Sequence, residues 1–163
     1  MAANNSASGY SDPADGHFED WFELYNPTAN PVDLTGYYLT DNLTNRFQFQ
    51  VPRGYSVAPG GFLLVWADGE EAQNSSNRID LHASFKLNQQ GEAIGLFAPD
   101  GSLMDAVVFT NQIVNWSRGR FPDGAANLYF MPTPTPRAPN QIPASSAPVF
   151  VSIVQFTPAD AGI

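Results

Sequence analysis

Fourteen prolines and thirteen glycines are spread through the 163 residues at short intervals, and almost no window between them is long enough for three turns of helix. Proline lacks the amide that a helix interior needs, and glycine gives up the most backbone entropy on ordering, so helix is a minor component. Short segments with strand periodicity survive between them, at residues 20–26, 37–40, 47–51, 62–67, 81–87, 92–98, 103–109, 115–121 and 128–131. Nine short strands imply an all-β sandwich or barrel.

In the first segment Trp21, Glu23 and Tyr25 fall on one face and Phe22, Leu24 and Asn26 on the other, and Phe22 and Leu24 are expected to face the core. Phe62-Leu63-Leu64-Val65-Trp66 runs without alternation, as a central strand covered on both faces would. Asn26-Pro27, Asn30-Pro31, Pro59-Gly60-Gly61, Pro99-Asp100-Gly101 and Pro122-Asp123-Gly124 read as turns, and the fourth as a hairpin.

Such a chain can fill a core. Its 43% hydrophobic content includes 12 Phe, 6 Tyr and 3 Trp, which rules out disorder of the whole and fits one domain. Seven basic residues against sixteen acidic give a net charge of −9, so binding to a nucleic-acid backbone is disfavoured for want of cations to displace phosphate counterions. The absence of cysteine removes disulfides, Cys-ligated zinc and Cys nucleophiles. Residues 1–20 hold no charged stretch followed by an apolar run, so no secretory leader is read in this numbering, and no apolar run reaches membrane-helix length.

Four regions follow. Residues 1–19 read as a polar acidic arm, 20–131 as the sandwich, 132–148 as a proline-rich linker, and 149–163 as a lone apolar strand before the end of the sequence. The strand signal is Val149-Phe150-Val151-Ser152-Ile153-Val154-Gln155-Phe156.

Asp20-Trp21-Phe22-Glu23-Leu24-Tyr25-Asn26-Pro27, followed by Pro31-Val32-Asp33-Leu34-Thr35-Gly36-Tyr37-Tyr38-Leu39-Thr40-Asp41, resembles the opening of a lamin tail domain. Val57-Ala58-Pro59-Gly60-Gly61-Phe62-Leu63-Leu64-Val65-Trp66-Ala67-Asp68, Leu81-His82-Ala83-Ser84-Phe85-Lys86-Leu87, Gly119-Arg120-Phe121-Pro122-Asp123-Gly124 and Pro134-Thr135-Pro136-Arg137-Ala138-Pro139-Asn140 continue the likeness, which is to the bacterial branch of that family and spans roughly residues 1–140. The resemblance implies an immunoglobulin-like β-sandwich. It further implies a non-catalytic module of a secreted or cell-surface bacterial protein, often beside hydrolase, nuclease or kinase-like domains, whereas similar domains of nuclear lamins bind partners and chromatin. A fold does not fix what its surface binds, so ligand and partner stay open.

Members of the family usually carry an apolar strand ahead of the stretch that resembles Met1-Ala2-Ala3-Asn4, so the sandwich is expected to expose an edge here. Val149 to Phe156 is expected to pair with that edge, in its own molecule or in a neighbour as an edge-paired or strand-exchanged homodimer; the alternative is that it begins a second, truncated domain.

Among candidate sites, Asp12, Asp15, Glu19 and Asp20, with Glu23 nearby, could gather oxygens round a calcium ion, though the spacing of the D-x-[DN]-x-[DN]-G loop is not met and a solvated acidic arm is the favoured reading. No other cofactor is expected. Asp80, His82 and Ser84 alternate on one strand and superficially suggest an acid, a base and a nucleophile, but the serine lacks a strained elbow, and no catalytic residue is assigned. His17 and His82 are the only histidines, too few for a histidine-rich zinc site.

Trp21, Trp66 and Trp116 with Tyr25, Tyr37 and Tyr38 could form a platform for sugar rings or a peptide, although core packing is the commoner fate of such side chains. Tyr37 and Tyr38 point to opposite faces, so one of them is expected at the surface, and Trp116 is the better surface candidate among the tryptophans. Arg118 and Arg120 share a face and could anchor a carboxylate, but pairing with Asp123 is preferred. The favoured function is a non-enzymatic interaction or spacer module; the alternative is a carbohydrate- or substrate-targeting module of a multidomain hydrolase.

Overall fold

The structure, a computed structural model, describes residues 1–5, 8–75 and 77–143. The strand predicted at 149–156 lies outside them.

Eleven strands and one short 3₁₀ turn, Glu71–Gln73, make up the regular structure of the described residues. In chain order the strands are β1 (Trp21–Tyr25), β2 (Val32–Asp33), β3 (Tyr38–Thr40), β4 (Phe49–Gln50), β5 (Ser56–Val57), β6 (Phe62–Trp66), β7 (Leu81–His82), β8 (Gly91–Phe97), β9 (Leu103–Thr110), β10 (Ser117–Arg120) and β11 (Leu128–Met131). One sheet has the order β1-β6-β7, with β7 parallel to β6, and the other the order β4-β3-β8-β9, while β2-β5 and β10-β11 are separate antiparallel pairs. The result is an all-β, immunoglobulin-like sandwich.

The continuous apolar run of β6 has the predicted cause. Leu63 and Val65 enter the main core with Phe22, Leu39, Leu81 and Phe109, while Leu64 and Trp66 turn to the opposite face and join a second cluster with Met1 and Trp21. Phe22 faces the main core as expected and Leu24 packs against it, yet Trp21 on the other face of β1 is buried too, because the N-terminal loop covers it.

That loop is irregular but packed, unlike the solvated arm expected from its composition. The Asn4 amide donates to the carbonyls of Tyr10 at 2.6 Å and Glu19 at 2.7 Å, and the Tyr10 ring stacks on Trp66 at 5.8 Å between centroids. A few well-placed polar groups and one aromatic ring hold a segment whose composition suggested freedom.

The turns follow their residues. At the hairpin between β8 and β9, Asp100 Oδ1 accepts from the amide and hydroxyl of Ser102, and Gly101 sits at a φ of 81°, which a side chain would disfavour. Asn26 is buried and its amide group donates to the carbonyls of Asn30, Val57 and Ala58, tying the β1 turn to the end of β5. The segment read as the start of a linker docks as well: Asn140 donates to the Arg120 carbonyl at 3.0 Å, and its own amide reaches Asp123. No helix among the described residues is long and apolar enough to cross a membrane.

Candidate functional site

Two places concentrate features that a fold alone does not require. One is a cleft between the sheets, and the other a charged cluster beneath the N-terminal loop.

The cleft encloses about 590 Å³ and is walled by apolar side chains of both layers, among them Leu24, Val32, Phe62, Ile94, Met104 and Leu128. β1 forms one side. Among the described residues β6 is its one partner in the sheet, and the bonds from Ala67 N–H to Asp20 O (2.8 Å) and from Asn26 N–H to Gly61 O (3.1 Å) show that even-numbered residues turn their backbone groups toward β6. The odd-numbered ones face the cleft. Trp21 is paired there, donating to Met1 O at 2.9 Å and accepting from the Met1 amino group, whereas no described strand takes up Glu23 and Tyr25. The opposite side is β9, which among the described residues pairs only with β8 and leaves Leu103, Met104 and Val108 more than half exposed.

Asn140 lies on the rim of this cleft. The chain therefore leaves the described structure beside the unpaired edge.

Under the loop, His82 Nδ1 meets Asp68 Oδ2 at 2.6 Å, with Asp12 Oδ2 at 3.5 Å, and all three residues are about 1% exposed. The carboxylates on either side of the His82 ring hold its pKa above the ordinary histidine value against the opposing effect of burial. Glu19 lies alongside. Burial, with Asp68, Glu70, Asp15 and Asp12 close by, pushes its carboxyl up to about 7. Asp20 turns away and accepts from the Asn4 amide at 3.2 Å.

Asp80, His82 and Ser84 do not assemble into a triad. β7 ends at His82, so the alternation that would align them stops; the imidazole is committed to Asp68, and Asp80 takes the Arg137 guanidinium and the Trp66 indole N–H. Trp21 and Trp66 are interior residues. Trp116, Tyr37 and Tyr38 are each half-buried, Tyr37 packing on the main core and Tyr38 meeting Phe47 edge-on at 4.9 Å.

The preferred pairing of Arg118 and Arg120 with Asp123 is corrected. Arg120 Nη2 donates to Asp105 of β9 at 2.8 Å, because both residues line the same cleft, and Arg118 sits over the Phe130 ring at 5.3 Å. Asp123 instead receives the Asn140 amide. Asp68, Glu70 and Arg137 were not singled out from the sequence as site residues. They reach their partners across the fold, which no local sequence pattern marks.

Sheet order and two buried layers define a domain of immunoglobulin-like type. A model of the Lamin Tail Domain family matches residues 3–111, about two thirds of the chain, and the chain belongs to that family. Family members are non-catalytic modules of this fold. Comparison with curated proteins and with solved structures found no match.

Proposed function

We propose that this chain is a non-catalytic interaction and spacer module of a larger bacterial secreted or surface protein, and that it engages its partner by strand addition at the β1 edge. The observation that carries this reading is the backbone of Glu23 and Tyr25, which no described strand pairs, above an apolar cleft of about 590 Å³. Such an edge supplies main-chain hydrogen bonds, and the cleft beside it takes alternate side chains.

The occupant is the apolar segment Val149 to Phe156, from the same molecule or a neighbour. Asn140 places the outgoing chain at the rim, and the eight intervening residues span up to roughly 26 Å when extended, enough to enter the cleft. The carbohydrate-targeting alternative rests on Trp116, since Trp21 and Trp66 are spent in the interior. A glycan array comparing the native chain with Trp116→Ala decides that alternative.

The test compares the full chain with one ending at residue 143, by light scattering and thermal melting. The full chain is expected to melt several degrees higher, and a synthetic peptide covering residues 146–158 to restore the difference in trans. Identical melting temperature and the same oligomeric state would overturn the strand-addition reading. Intact mass of the native gene product, read with its flanking sequence, tests the multidomain part.

A further inference from the structure

The cluster under the N-terminal loop holds oxygens that no described residue satisfies. Asp12 is 1% exposed; its Oδ1 accepts the Ala14 amide at 2.7 Å, but its buried Oδ2 has no hydrogen-bond donor. The nearest candidate, His82 Nδ1 at 3.5 Å, is committed to Asp68 at 2.6 Å. Glu19 Oε2 is likewise buried without a donor. Leaving one such atom bare costs about 1–3 kcal/mol and more for a charge, so each calls for a ligand, and Asp68 lies within 4.8 Å of both acids.

Their surroundings say which ligand. The carboxylate oxygens of Glu19, Asp68 and Glu70 all lie within 4.8 Å of one another, and those of Asp12 and Asp68 lie within the same limit of each other and of the His82 ring nitrogen. Calcium binds oxygen at about 2.4 Å, so oxygens on opposite sides of one ion stand about 4.8 Å apart. Both trios fit that span and share Asp68. The groups come from two distant segments, the loop through residue 19 and the end of β6, so the fold assembles them and no continuous calcium-loop motif is needed.

We propose that this cluster is a calcium site, with Glu19, Asp68 and Glu70 as ligands and the buried Asp12 carboxylate, beside Asp68, adding negative charge behind them. His82 orients Asp68 from behind, in the manner of an outer-shell partner. Gln73 donates to Glu70 and, at 3.2 Å, to Asp15, which also meets His17 at 3.2 Å, so Asp15 stands at the mouth of the site. Four carboxylates against one imidazole that is already engaged select a hard cation over zinc.

The experiment uses the full chain, stripped with a chelator and titrated with calcium chloride and, separately, magnesium chloride, by calorimetry and thermal melting at pH 8. Saturable binding near one calcium per chain and a rise in melting temperature with calcium concentration are expected. Glu19→Gln is expected to melt above the native protein without calcium, because a buried repulsion is gone, and below it at saturating calcium, with affinity reduced at least tenfold. Asp20→Asn, whose side chain points away, should keep the native affinity within twofold. No heat and no melting shift at millimolar calcium would overturn the proposal. So would native affinity in both Glu19→Gln and Asp12→Asn.

Discussion

Arg137 and Asp80, 57 residues apart in sequence, form a two-armed ion pair: Nε donates to Oδ1 at 3.0 Å and Nη2 to Oδ2. Asp80 is buried and also receives the Trp66 indole N–H at 3.3 Å, while the same guanidinium donates to the Tyr10 hydroxyl. One arginine thus joins the C-terminal segment, the β6–β7 connection and the N-terminal loop. Its backbone lies at a φ of 62°, a region that residues with side chains rarely occupy, so the pair holds the chain against its own preference.

Arg137→Ala leaves Asp80 charged and short of its partner. Removing one member of a fully buried pair costs about 3–5 kcal/mol, and the partial exposure of Arg137 lowers that to roughly 2 kcal/mol. Urea unfolding should show that loss, and Arg137→Lys should recover less than half of it, since an ammonium cannot make the paired contact. A midpoint unchanged in both variants would mean that the pair contributes nothing.

Trp66 has no exposed surface and lies parallel to Tyr10, with an interplanar angle of 3°. Trp66→Ala is expected to destabilise the fold by about 3–5 kcal/mol through the cavity it leaves. Tyr10→Ala should instead act locally: hydrogen exchange at the backbone amides of residues 10–17 should speed up at least tenfold while that of β8 and β9 stays protected. Uniform acceleration across the sandwich would show that the loop is no separate unit.

Much of this fold is legible in the sequence where a rule of period or turn chemistry applies alone. The β6 run announced a strand covered on both faces, and Pro99-Asp100-Gly101 announced the β8–β9 hairpin. The two-residue strands β2 and β5 went unread because two residues carry no period. The segment predicted at residues 81–87 shrinks to Leu81–His82, since past that point β6 has turned away and one isolated bridge, Asp68 to Lys86, remains. The candidate site was half visible. Asp12 and Glu19 stood out as acids in a polar stretch, but Asp68 and Glu70 reach Glu19 through the antiparallel pairing of β1 with β6, and Asp12 through the path of the covering loop, which no local pattern encodes.

Gly91 opens β8 at a φ of 126°, and a Cβ built there would stand 2.8 Å from the Phe109 carbonyl oxygen and 2.9 Å from the Thr110 Cα. Both contacts are backbone, so neither can swing aside. Gly91→Ala is expected to cost about 2–3 kcal/mol from strain and displacement together. Gly54→Ala serves as the comparison, because it shares a positive φ of 99° but has open space around it. Equal losses in the two variants would assign the whole effect to φ and none to the approach of β9.

Glu23 sets a pH dependence whose sign can be worked out. Burial pushes its carboxyl up to about 7, against the lowering effect of the Arg137 amide that it accepts, the Met1 amino group and the Arg137 charge; Asp123 pushes the same way as burial. The folded state therefore holds a proton on Glu23 between its ordinary value of 4.5 and about 7, where the unfolded chain has released it. Stability that is fully present below 4.5 is lost as pH rises toward 7. The buried Met1 amino group, lowered to about 6, works the other way between 6 and 8, so the clean window is pH 4.5–6. Across it, Glu23→Gln should lose stability less steeply than the native protein, since Glu19, also raised to about 7, titrates in both, and the difference in melting temperature between them should widen in favour of glutamine with every step upward. Parallel curves from pH 4.5 to 6 would show that Glu23 ionises in the folded protein at its ordinary value.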